Sequence, residues 1–471
     1  MRQGQDSQKN RDNSVTVIGG GLAGSEAAYQ LAKNGISVDL YEMRPIRMTP
    51  AHKTSSCAEL VCSNSFGSES AHSASHILKT ELELLGAFVL EKAREHKVPA
   101  GASLAVDREK FSADITRELA TNPLITIHRE ELTEIPKTGY VILATGPLTT
   151  ESLCADLCKK IGTESLYFYD AISPIISAES IDFTQLFQAN RYDKGETADF
   201  WNIPLNKEQY ETLVNDLLTG DVVLPHAFEE EKYFEGCMPV EAIAARGPQT
   251  LSFGPLKPVG LTDPKTGRWA HAVIQLRNEN KYGTAFNLVG FQTKLKYPEQ
   301  ARIFKKLPGL ENAEFLRLGS MHRNTYIHSP SALLPTLQLR SDPRIFVAGQ
   351  LTGTEGYLES SATGFWAAWV ASRLIQAKPF EILPVETMLG SLLRWITDSE
   401  RKNFQPINSN MGVLPPLTDL GPKKVDKKTR NEKHSARSQQ SLLKWMDLFA
   451  SRRTNFQIHS VDCEAPLGQT P

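Results

Sequence analysis

Apolar and polar positions along this chain follow two rhythms. Residues 14–19, Ser-Val-Thr-Val-Ile-Gly, are a short, β-branched apolar run of the kind that forms a buried parallel strand. Gly19, Gly21 and Gly24 then fall at G-x-G-x-x-G spacing. From Leu22 the pattern turns helical, with Ala and Leu on an inward face, up to Gly35, a residue suited to a helix C-cap. A second apolar run, 36–42, ends on Glu42. Strand-like runs return at 124–130, at 140–147 and at 344–348, the last leading into a glycine-rich turn and a helix of small residues. Residues 76–96 predict one amphipathic helix, and Asp107 predicts the N-cap of another.

From 166 to 334 the rhythm changes. Residues 166–177, 270–277 and 285–293 read as strands and 206–220 as a helix. The pattern predicts an α/β fold: a Rossmann-like FAD-binding domain with a doubly wound parallel sheet, interrupted by an α+β insertion domain. The boundaries read as 14–165 and 335–455 for the discontinuous FAD-binding domain and 166–334 for the insertion. A polar, disordered N-terminus (1–13) and a flexible tail (456–471) complete the chain. Residues 43–75 show no sustained period and are rich in Ser, Thr and His, the character of a functional loop.

The first strand, glycine loop and helix predict a diphosphate cradle made of Gly19, Gly20, Gly21, Leu22, Ala23 and Gly24. Glu42, about twenty residues beyond the first glycine, is placed to accept a hydrogen bond from a ribose hydroxyl. Two further stretches select FAD over NAD as the dinucleotide. "YVILATGP" ends a strand in Ala-Thr-Gly, and "RIFVAGQLTGTEGYLESSATG" pairs a strand end with a helix start, offering Gly349, Gly353 and Tyr357 to the ribityl chain and flavin ring.

Composition narrows the picture further. The net charge is −2, so any contact with nucleic acid needs a local basic patch. Residues 421–453 hold one: ten Lys or Arg against Asp426, Glu432 and Asp447. That stretch reads either as a solvated surface helix or as a phosphate-binding face. No apolar run reaches about 18 residues, so no membrane span is expected. Six cysteines in 471 residues make no disulfide framework, and a reduced, cytoplasmic protein is expected. Cys57, Cys154 and Cys158 read as small buried hydrophobes, Cys463 as an inert tail residue. Cys154 and Cys158 share a helical segment with no matching ligand pair, so no metal site is expected. Cys62 in "AELVCSNSF" and Cys237 in "YFEGCMPVE" stand in polar loop settings and are the candidate catalytic thiols.

The set "GGGLAGSEAA", "YEMRP", "TSSCAELVCSNSF", "FEGCMPVE", "LVGFQTKLKYPEQ", "GSMHRNTYI" and "AGQLTGTEGYLESSATG" resembles the folate- and FAD-dependent tRNA (uracil-5-)-methyltransferases across about 14–450. The resemblance implies transfer of a one-carbon unit from 5,10-methylenetetrahydrofolate to C5 of a T-loop uridine in tRNA, with FAD reduced by NADPH or NADH. It implies Cys237 as the thiolate that adds to uracil C6 and Cys62 as the partner in proton transfer or carbon handling; the reverse allotment is the alternative. It also implies His322 and Arg323 as folate or uracil contacts, and Lys294 and Lys296 as contacts to tRNA phosphates or the folate glutamate. No obligate protein partner is implied. Three rivals remain at this point: the same chemistry on ribosomal RNA, a wobble-uridine-modifying FAD/folate flavoprotein, and a flavoprotein that only chaperones tRNA.

Overall fold

The structure is a computed structural model that describes residues 14–163, 166–193, 197–223, 233, 238–402, 404–418 and 425–455. The first apolar run becomes the strand Val15–Ile18, the glycine-led pattern the helix Leu22–Lys33, and the second run the strand Val38–Tyr41. Val15–Ile18 lies at the centre of a five-stranded, wholly parallel sheet. Tyr140–Leu143 and then Ile345–Val347 flank it on one side, Val38–Tyr41 and then Ile125–His128 on the other. The helix Tyr357–Ile375 packs on Leu22–Lys33 so closely that a Cβ on Gly364 would lie 2.2 Å from the Ala23 carbonyl oxygen.

Two buried carboxylates tie the helices around this sheet. Glu26 accepts the N–H groups of Phe88 and Val89, at 2.9 and 2.8 Å, at the start of the helix Phe88–Glu95, and also binds Ser361. Glu81 does the same for Met388 and Leu389 at the start of Met388–Thr397, and takes the hydroxyl of Ser438 on the last helix. Each satisfies helix N–H groups that have no partner inside their own helix. Burial pushes the Glu81 carboxyl up to about 7 against these donors.

The insertion is built on a six-stranded antiparallel sheet. Its order is Phe187–Gln188, Phe200–Leu205, Ala272–Asn278, Ala285–Leu288, Ile175–Ser177 and Phe315–Arg317. A two-stranded ribbon, Leu166–Ile172 with Ser320–Tyr326, stands beside it. The fold is therefore a Rossmann-type α/β unit with an antiparallel α+β insertion, as the sequence predicts.

Four local expectations need correction. The single helix expected over 76–96 is two, Ala74–Leu85 and Phe88–Glu95, because Gly86 turns left-handed at φ +74° and ends the first. The strand expected over 166–177 divides at Ser173 and Pro174, and its halves enter different sheets; Pro174 has no N–H to continue a ladder. The strand expected over 285–293 stops at Leu288. Cys154 and Cys158 are half-buried on the helix Glu151–Ile161, whereas Cys57 is fully buried. The basic stretch forms the helix Lys427–Asn455, which docks through buried Ser438, Leu442 and Trp445.

Candidate active site

A cleft open to solvent, with about 1030 Å³ of empty space, runs over the C-terminal ends of the parallel strands. Gly19, Gly21, Leu22, Ala23, Glu42, Gly349 and Tyr357 line it. Gly24 serves the cradle from behind: a Cβ there would lie 1.8 Å from the Gly19 carbonyl oxygen, so only glycine lets helix and strand meet this closely. A Cβ on Gly21 would meet nothing within 4 Å, and no acidic first-turn residue or capping side chain occupies the N-terminus of Leu22–Lys33. The N–H groups there are free to take an anion, and the cradle fits a dinucleotide diphosphate. Gly353 sits behind the cleft against Phe404.

Glu42 accepts the Gly20 N–H at 2.9 Å and three donors of Arg44: the backbone N–H at 3.0 Å, Nε at 2.8 Å and Nη2 at 3.1 Å. Burial alone would raise its pKa, but the hydrogen bonds and charge of Arg44 hold it below the usual carboxylate range. Arg44 is itself buried and binds Glu59 at 3.0 Å. Sequence reasoning named the acid and missed the arginine two residues on, although "YEMRP" carried it.

At the other end of the cleft, the Cys62 N–H donates to the Tyr357 hydroxyl at 2.8 Å. The half-buried Cys62 thus stands at the start of the helix Tyr357–Ile375. Burial pushes the Tyr357 phenol far up, and the nearby Cys62 adds to the shift. Arg108 donates to the carbonyl of Leu60 at 2.7 Å and of Cys62 at 3.4 Å, and pairs with Glu279 of the insertion at 2.6 Å. Arg317, also of the insertion, reaches the Ala51 carbonyl at 3.3 Å. The stretch expected as a loop over 43–75 carries the short strand Ser65–Ser68 and the start of the helix Ala74–Leu85, and its first part is clamped between both parts of the fold by arginines that its own composition did not reveal.

Cys237 lies outside the described residues. Downstream of it, Met238 is buried and the Val240 N–H binds the Gln292 carbonyl at 2.7 Å. His322 and Arg323 are neighbours in one strand, so they point to opposite faces. His322 binds Ser320 Oγ at 2.9 Å, and burial together with Arg317 and Lys53 lowers its pKa to about 4. Arg323 is exposed and stacks 4.3 Å from the Tyr167 ring centroid. Lys294 lies over Tyr233 and Lys296 pairs with Asp221 at 3.5 Å. Neither lysine lines the cleft.

The family described as Glucose inhibited division protein A matches residues 14–379. A methylenetetrahydrofolate--tRNA-(uracil-5-)-methyltransferase TrmFO from Heliobacterium modesticaldum is 52% identical over 433 residues, covering 92% of this chain and 98% of that protein. One from Geobacter sulfurreducens is also 52% identical, covering 92% and 99%. The chain belongs to this methyltransferase family. With members of the family it shares nearly its whole length; with GidA it shares the fold. A solved structure of Aquifex aeolicus GidA (form II crystal) superposes with a TM-score of 0.64 at 15% identity, covering 97% of this chain and 79% of that one. Among the described residues of this methyltransferase, no helix is long and apolar enough to cross a membrane.

Proposed function

We propose that this chain transfers the carbon of 5,10-methylenetetrahydrofolate to C5 of a uridine in the T-loop of tRNA, in the cytoplasm, with FAD as resident cofactor and NADPH or NADH as electron source. The observation that carries this reading is the bond from the Cys62 N–H to the Tyr357 hydroxyl. It holds a thiol loop at the end of the dinucleotide cleft where a flavin ring would lie. FAD, when bound, supplies the electrons that reduce methylene to methyl.

The residues divide the work. The Gly19–Gly24 loop holds the diphosphate at a helix N-terminus, and Glu42 takes a ribose hydroxyl in exchange for one bond from Arg44. Uracil C5 is a weak nucleophile; addition of the Cys237 thiolate to C6 makes it enolate-like and able to attack the methylene carbon. The C5 proton then leaves, Cys62 assisting proton transfer or carbon handling. Tetrahydrofolate departs as the C–N bond breaks, two electrons and a proton then complete the methyl group, and elimination of the Cys237 sulfur restores the ring. His322, neutral at working pH, packs against folate or uracil. Arg323 meets folate or uracil, and Lys294 and Lys296 meet tRNA phosphates or the folate glutamate. The 52% identity to named tRNA (uracil-5-)-methyltransferases over nearly their whole length favours this reading over a wobble-uridine one.

The test is transfer of label from methylene-labelled folate to tRNA by the FAD-loaded chain with NADPH or NADH. Label in a T-loop methyluridine is expected. Label confined to ribosomal RNA, or arriving only from S-adenosylmethionine, overturns the proposal.

A further inference from the structure

One face of the insertion sheet holds buried polar atoms that none of the described residues satisfies. Arg277 stands opposite Asn287 across it, and Asn287 opposite Ile175. Opposed residues present their side chains to the same face. Glu279, two positions beyond Arg277, returns to that face. Arg277 Nε, Asn287 Nδ2 and Glu279 Oε1 are all buried without a hydrogen-bond partner among the described residues. Asn287 is 3% and Glu279 4% exposed, so water does not meet their needs from bulk. The face adjoins the thiol loop, because the other oxygen of Glu279 is held by Arg108, which also binds the Cys62 carbonyl. Asn64, two residues past Cys62, donates to the Asn278 carbonyl at 3.0 Å. On the far side, Val240, three positions after Cys237, is bonded to Gln292, just beyond the strand that carries Asn287.

We propose that this row reads the target base: Arg277 and Asn287 donate to uracil O4, and Glu279 accepts from N3–H. The proposal rests on the uridine chemistry above. Buried polar groups left unpaired are costly and point to a partner that arrives later. The partner must offer a carbonyl beside an N–H, an edge that uracil, pterin and isoalloxazine all carry. The reaction selects among them. When a thiolate adds to uracil C6, the electron pair of the C5–C6 double bond shifts towards C4 and negative charge builds on O4. Two fixed donors at O4 stabilise that charge, as oxyanion-hole donors do. Cytosine is rejected at both contacts: its C4 amino group meets two donors, and its bare N3 meets a carboxylate.

The test uses the full-length, FAD-loaded chain and three readouts: flavin absorbance, tetrahydrofolate binding followed by the change in that absorbance, and tRNA methylation. Arg277→Gln and the isosteric Asn287→Asp are expected to lower kcat about 100-fold or more, with KM for tRNA moving far less. Arg277→Lys, which keeps charge, recovers part of the loss. Flavin content and tetrahydrofolate affinity are expected to match wild type, which also shows that the variants fold. Loss of flavin from either variant overturns the proposal in favour of the isoalloxazine edge. Weakened tetrahydrofolate binding overturns it in favour of the pterin. Variants that methylate as fast as an active wild type overturn this proposal alone. A wild type that leaves tRNA uridine unmethylated overturns the function and this proposal with it.

Discussion

The dinucleotide cleft and the insertion face beside Cys62 are both polar, but they stand differently in the free protein. In the cleft, Glu42 has four donors already in place, all from Gly20 and Arg44. On the insertion face, Arg277, Asn287 and Glu279 each keep a buried atom unpaired among the described residues. A site for a resident cofactor gains from being rigid and satisfied, since the ligand slots into a scaffold that already holds its shape. A site for a passing substrate gains from groups that pair only when the substrate is present. Each unpaired group costs about 1–3 kcal/mol in the free protein, and the arriving base relieves it.

Breaking the cleft should have the largest effect. Gly21→Glu puts a carboxylate into the open space at the helix N-terminus, where the account places a diphosphate. The purified variant is expected to be colourless and inactive; a variant that keeps full flavin absorbance removes this loop from the cofactor site. Breaking the thiol side should separate the two regions. Cys237→Ala and Cys62→Ala are each expected to lower methylation about 1000-fold or more while staying yellow. With 5-fluorouridine in the T-loop, the wild type is expected to form a covalent protein–RNA band, Cys237→Ala none, and Cys62→Ala still some. The opposite pattern exchanges the two roles.

How much of this was legible in the sequence divides along the same line. Strand, glycine loop, helix, second strand and acid lie within about thirty consecutive residues, so their local arrangement was readable. The insertion row was not. Arg277 and Asn287 lie on different strands and face each other only because those strands pair across the sheet. "QLRNEN" could be seen in the chain without any sign of what its arginine faces. Glu26 and Glu81 look like ordinary acids on amphipathic helices, yet each caps a helix distant in sequence. The helix expected over 76–96 failed for a simpler reason: its apolar period runs on across Gly86, while the backbone does not.

Electrostatics sharpen the contrast by a smaller amount. His322 and His52, beside the thiol loop, both have pKa values lowered from 6.5 to about 4, chiefly by burial and then by neighbouring arginines. The native state therefore binds fewer protons than the unfolded chain between those values. Their contribution to stability is full above pH 6.5 and is lost as the pH falls through about 4. For His322 a shift of that size corresponds to about 3 kcal/mol. Melting temperature is expected to drop over this window, and His322→Gln to flatten the drop; an unchanged slope shows that the buried imidazole is not the cause.

The smallest effect concerns the last helix. Because Ser438, Leu442 and Trp445 anchor it, removing it exposes core, so charge neutralisation is the cleaner probe. Lys427, Lys428 and Arg430 are exposed on it. Replacing all three with Ala should weaken tRNA binding a few-fold and make its salt dependence shallower, by about one unit of slope for every phosphate these side chains neutralise. Flavin absorbance should stay constant; an unchanged salt slope leaves the helix as a solvated surface.

The central claim is that folate supplies the carbon and a flavin at the Tyr357 end of the cleft supplies the last hydrogen. Mass analysis of the methyluridine made from dideuterated methylene donor tests it most directly. In ordinary water the methyl group is expected to retain both deuteriums and gain one light hydrogen. In heavy water it should gain a third deuterium, because the N5 hydrogen of a reduced flavin exchanges with solvent. A methyl group free of donor deuterium, or one whose third hydrogen ignores the solvent because it came directly from the folate ring, contradicts the account.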